Sequence, residues 1–145
     1  MADTLKIAQD VFARIQKEFP HLSMRIHNDQ PVELSMDIPK QEGLNFDIYL
    51  NLQNNDELHL MAGNFFWLEW FPCTKGEKVE EYLAAVLGLI SGKYRICEHY
   101  RGKKAVRAEL QVQGKDGKWK TIGAWSKLSL PFPCRKHYQI LQNVS

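Results

Sequence analysis

A chain of 145 residues with 44% hydrophobic and 25% charged side chains has ordinary globular composition, and it is long enough to bury about two-thirds of its unfolded surface without staples. No stretch approaches the ~18 uninterrupted apolar residues of a transmembrane helix, so no membrane partner is expected. The net charge of +2 hides an asymmetry: residues 1–72 carry 11 acids and 5 bases, whereas residues 73–145 carry 6 acids and 14 bases.

In chain order, Leu5, Ala8, Val11, Phe12, Ile15 and Phe19 recur at steps of three and four, which predicts a helix over 4–19. Asp3 or Thr4 caps its start, and Pro20, lacking a backbone donor, ends it. A short strand around Leu22 to Ile26 opens a sheet. Val32, Leu34, Met36 and Ile38 then alternate with polar residues, as do Leu44, Phe46, Ile48, Leu50 and Leu52. This period of two predicts strands with one apolar and one wet face. Gln53 to Asp56 reads as a turn into a partner strand carrying Leu58 and Leu60.

Gly63 to Pro72 holds five aromatic rings in ten residues. As a strand it places Phe65, Trp67, Glu69 and Phe71 on one face and Phe66, Leu68 and Trp70 on the other; as a helix it clusters Phe66, Trp67, Trp70 and Phe71. Neither arrangement leaves the segment fully wet. Its rings serve either a core or a contact with another chain.

Thr74 and Glu77 have the spacing of a capping box ahead of a helix carrying Val79, Tyr82, Leu83, Val86, Leu87 and Ile90, with Gly92 as C-terminal cap. Strands follow over Tyr94–Tyr100, Val106–Val112 and Trp119–Trp125, the last two joined by the turn Gly114 to Gly117. Ser129 to Cys134 is Pro-broken coil, and Lys136 to Leu141 offers a last edge strand. The expected fold is a single α+β domain over residues 1–145, mainly antiparallel, with two helices in the order α-β-β-β-β-α-β-β-β.

The cysteines, Cys73, Cys97 and Cys134, are odd in number and widely spaced, which points to reduced, buried thiols and a cytoplasmic location. The N-terminus shows no apolar leader segment.

Chemistry concentrates in the basic half. On an extended Lys93–Arg101, the side chains of Arg95, Cys97, His99 and Arg101 share a face, and a hairpin brings Arg107 toward them. Guanidinium groups so placed suit phosphate or carboxylate. Lys118 and Lys120 flank Trp119, a basic–aromatic pattern that suits nucleic acid, although the isoelectric point of about 8.4 is mild for such a protein. Cys97 beside His99 is the minimum of a thiol nucleophile, without a third residue to orient the pair. Cys97, His99, Cys134 and His137 are zinc-type donors, but their spacing matches no usual zinc motif. No phosphate-binding loop or dinucleotide fingerprint occurs, so no cofactor and no metal are expected.

The sequence therefore points first to a non-enzymatic protein-interaction module, of the adaptor, chaperone or immunity-inhibitor kind, contacting an unknown protein partner through Trp67, Glu69 and Trp70. The alternative is a nucleic-acid or anion binder using Arg95, His99, Arg101, Arg107, Lys118 and Lys120. An enzyme with a site assembled from scattered residues is the third reading, and homodimer formation through Trp67, Trp70 or an edge strand stays open.

Overall fold

The structure, a computed structural model, describes residues 3–127 and 136–143. Helix α1 (Thr4–Glu18) leads into β1 (Arg25–His27), β2 (Leu34–Ile38), β3 (Ile48–Gln53), β4 (Glu57–Ala62) and β5 (Phe66–Trp70), an antiparallel meander in that spatial order. Helix α2 (Gly76–Ser91) connects it to a second antiparallel sheet. That sheet holds β6 (Tyr94–Arg101), β7 (Lys104–Gln113), β8 (Trp119–Ser126) and β9 (Lys136–Leu141), in the spatial order β8-β7-β6-β9. The class is the expected α+β, with two helices and antiparallel pairing throughout. Two strands join those of the expected order: the aromatic stretch as β5, and the tail, offered as a last edge strand, as β9 at the sheet edge beside β6. The predicted coil 129–134 lies outside the described residues.

Local signals explain most element ends. The Asp3 carboxylate accepts the Lys6 backbone N–H at 3.1 Å and caps α1, whose Ala8, Val11, Phe12 and Ile15 are buried. Gly92 caps α2 in a left-handed conformation, its N–H donating to Gly88 O at 3.0 Å. The predicted capping box does not form. Lys75 N–H donates to Pro72 O, and this turn delays the helix by one residue, so that Lys75 is the N-cap and makes no side-chain bond. The strand predicted from Leu44 starts instead at Ile48. Leu44 and Phe46 are buried in a loop in which Gln41 and Leu44 exchange backbone hydrogen bonds. Their alternation records burial rather than a ladder.

The register of the first sheet stacks its apolar residues into rows. Leu34, Leu52, Leu58 and Trp70 are cross-strand neighbours, as are Met36, Leu50, Leu60 and Leu68, and Ile38, Ile48, Ala62 and Phe66. These rows, the buried faces of α1 and α2, and Ile96, Ala108 and Leu110 of the second sheet belong to one hydrophobic cluster. The opposite face was expected to be wet, yet its central row is buried. Ser35, Asn51 and His59 pair in register on β2, β3 and β4, and each is almost fully inaccessible.

Within β5 the aromatic stretch divides by strand parity. Phe66 is in the core, Phe65, Leu68 and Trp70 pack against it half-buried, and Trp67 and Phe71 are exposed by 42% and 51%. The turn before β5 is tied to the second sheet. The buried Glu98 carboxylate accepts Asn64 N–H at 3.1 Å, the Asn64 side-chain amide at 2.8 Å and the Tyr100 hydroxyl at 3.1 Å.

Two outcomes follow for stability. Asn64→Ala removes a donor from a buried carboxylate and should lower unfolding free energy by about 1–3 kcal/mol; urea unfolding that shows no loss would remove this tie from the account. Gly88→Ala should also destabilise. Helix propensity alone favours alanine by about 1 kcal/mol, but a Cβ at Gly88 would meet the Tyr94 ring at 2.6–2.9 Å. A rise in thermal midpoint would show that the ring yields.

Candidate anion-binding site

The second sheet brings basic residues together because its ladder joins β9 to β6 and β6 to β7. Tyr138, His99 and Arg107 are successive cross-strand neighbours, and Lys136 stands opposite Arg101. The ladder slips between His99 and Tyr100, a bulge-like irregularity of the kind that re-aims side chains. A cavity of about 280 Å³ forms here, lined among others by Arg101, Arg107, Lys136, His99, His137 and Tyr138. Tyr100 and His137 stack at 5.1 Å between centroids, nearly parallel, and Tyr138 is 68% exposed.

Glu109 is the acid in contact with this group. Its Oε1 accepts from His99 Nε2 at 2.6 Å and lies 3.3 Å from Arg107 Nε, and its other oxygen accepts from the Thr121 hydroxyl. Burial pushes the Glu109 carboxyl upward, but the Thr121 hydroxyl, His99 and Arg107 outweigh it and hold it below the ordinary range. Among the described residues no carboxylate pairs with Arg101 or Lys136. Like charges directly opposite in a ladder repel. An anion between them would remove that repulsion.

The structure thus joins His99, Arg101 and Arg107 of the predicted basic residues and separates the others. Arg95 lies farther along β6, where its Nε donates to Gln111 at 2.9 Å and its guanidinium covers the Trp119 ring at 4.0 Å. Lys118 precedes β8, and Lys120 pairs with Val112, six residues along β8 from Ser126, the partner of Arg107. At about 3.3 Å per residue that is roughly 20 Å. The pattern missed Lys136 and Tyr138 and offered His137 only as a zinc-type donor, because β9 reaches β6 across more than thirty residues and carries no motif of its own.

Cys97 is placed as a structural thiol. Its sulfur is 3.5 Å from His99 Nε2, the same nitrogen that donates to Glu109, so imidazole cannot relay a proton between thiol and carboxylate through its two nitrogens. Burial, and then Glu109, push the thiol pKa up. Of the four zinc-type donors, Cys134 lies outside the described residues. His137 stacks on Tyr100, whereas His99 faces Glu109.

The interaction candidates of the first sheet separate too. Trp70 packs edge-to-face on buried Tyr82 at 5.5 Å, whereas Trp67 and Glu69 share the outer face of β5 beside His59. Comparison with protein-family models, with curated proteins and with solved structures found no match.

Cys97 should therefore alkylate slowly. At pH 7.5–8.5 its reaction with iodoacetamide should lag that of an unhindered thiol of pKa near ~8.5, because a raised pKa leaves less thiolate at each pH. Faster labelling at Cys97, located by peptide mapping, would restore the nucleophile reading.

Proposed function

We propose that the protein is a binding protein for a small anion, a phosphate or carboxylate group held in the cavity between β6, β7 and β9. The observation that carries this reading is the like-charged pair Arg101 and Lys136, set opposite each other at that cavity and without a carboxylate partner among the described residues. Arg107 adds a planar donor on the neighbouring strand, and guanidinium groups match such anions in charge and shape. The cavity's volume suits a small group rather than a drug-sized ligand. The distance of Lys118 and Lys120 from the cavity argues against one continuous track for a nucleic-acid strand.

A protein-interaction role draws its support from a different place, the exposed Trp67 on the outer face of β5 and the exposed Phe71 just beyond the strand's end. Large exposed aromatics are the residues that anchor protein interfaces.

Isothermal titration of the full chain with inorganic phosphate, and separately with citrate, tests the anion reading. Heat of binding should appear at low salt and fade at high salt. The double variant R101E/R107E should lose at least tenfold in affinity, since each charged hydrogen bond contributes roughly 1.5–3 kcal/mol. K118E/K120E should bind as the parent does. No binding of either anion at low salt, or equal loss in both double variants, would overturn the assignment.

A further inference from the structure

The outer face of the first sheet holds a second constellation, independent of the anion cavity. His59 on β4 is almost wholly buried, with its side chain 2% exposed. Its Nδ1 lies 2.7 Å from Trp67 Nε1. An indole N–H only donates, so Nδ1 is the acceptor, and in the neutral ring the proton sits on Nε2. That single N–H faces three groups: Glu57 Oε1 at 2.9 Å, Glu69 Oε2 at 3.5 Å and the Gln53 amide nitrogen Nε2 at 2.9 Å. As placed, the Gln53 NH₂ and the ring N–H oppose each other, donor against donor. With the amide turned over, one proton would have to serve two carboxylates and an amide oxygen. Either way, the centre holds more acceptor capacity than one proton satisfies.

The two carboxylate distances from His59 Nε2 fit a metal's ligand shell. Donors bound at 2.0–2.1 Å to one ion stand about 2.9 Å apart at right angles and about 3.4 Å apart at tetrahedral angles. The separations from His59 Nε2 span that interval, and the ligating atoms of Glu57, His59 and Glu69 all lie within 4.8 Å of one another. A further observation comes from the neighbouring strand. Asn51 is the register partner of His59, on the same face and buried, and its Oδ1 has no hydrogen-bond partner. A water carried on a metal ion is a strong donor of the kind that this oxygen lacks.

We propose that Glu57, His59 and Glu69, with the Gln53 amide turned over to present its oxygen as an additional donor, form a site for a divalent first-row metal ion such as Zn²⁺, and that filling it displaces Trp67 from His59. The displacement follows from the tautomer. Nitrogen can bind the ion only through a lone pair on Nε2, which moves the ring proton to Nδ1. Nδ1–H then opposes the Trp67 N–H, donor against donor, and the contact breaks. Trp67 can yield because it lies on β5, at the edge of its sheet, and is partly exposed. Mixed imidazole and carboxylate donors select zinc-like ions over magnesium, which prefers oxygen ligands alone.

The test is a titration of the chelator-treated full chain with ZnCl₂, followed by tryptophan emission and by calorimetry. One ion should bind per chain with a change in emission. Glu69→Gln, which keeps the shape of a half-exposed side chain, should weaken binding at least tenfold. Trp67→Phe should tighten binding about three- to tenfold, the weight of one neutral hydrogen bond, and should abolish most of the emission change. Because neither substitution opens the core, both variants should fold, as circular dichroism will show. Absence of one-to-one binding, indifference to Glu69→Gln, an equal response to MgCl₂, or weaker binding in Trp67→Phe would each overturn the proposal.

Discussion

A buried carboxylate without a paired cation must be surrounded by donors, and Glu98 meets that requirement by holding the two sheets in one relation. Asn64 supplies both its backbone N–H and its side-chain amide, and Tyr100 supplies a hydroxyl, so desolvation of the charge is offset only when the β4–β5 turn rests on β6. Gly63 makes the approach close. It is left-handed, with φ of 65°, and a Cβ there would run into Leu141 of β9. From this anchor β5 runs between the sheets. Phe65 packs on Tyr100 and Trp125, Leu68 presses on Gly123, and Trp67 reaches His59. The uneven roles of the five rings follow from that one placement.

The charge asymmetry of the chain is also resolved by topology rather than by composition. Much of the basic half is solvated surface, with Lys115, Lys118 and Lys120 around the β7–β8 turn. Arg101 faces Lys104 across the β6–β7 ladder and Lys136 across the β6–β9 ladder, and where β9 closes onto β6 a cavity accompanies them. Glu109 moderates the group through His99 and Arg107 and leaves Arg101 and Lys136 uncompensated among the described residues. The two constellations are therefore opposite in charge: the first sheet collects acids around an imidazole, and the second collects bases around a cavity.

Much of the fold was legible from local periodicity. The apolar stripe of α1, the alternation of β2 to β4 and the left-handed cap at Gly92 each depend on neighbours a few residues away. The errors also have local causes. Thr74 and Glu77 have capping-box spacing, but a turn from Pro72 carries the helix start one residue past Thr74, so the pair is out of register with the cap. Leu44 and Phe46 alternate because a buried loop needs apolar residues just as a strand does. For the sites, Arg101, His99 and Arg107 were visible because two adjacent strands carry them, whereas Lys136 and Tyr138 were not. His59 was hidden differently: its parity assigned it to a wet face, and only the convergence of β3, β4 and β5 buries it among Gln53, Glu57, Trp67 and Glu69.

The sequence alone determined the class of fold, the number of helices, and which residues of each strand lie together on a face, because these depend on helical and strand periods and on turn chemistry over short spans. Tertiary structure decided which faces meet and which charges are left without partners. It set Lys136 opposite Arg101, separated Arg95 and the β8 lysines from them, and fixed the His59 tautomer through Trp67. Those outcomes depend on strand register and sheet order, and pairings between residues far apart in the chain leave no periodic trace in it.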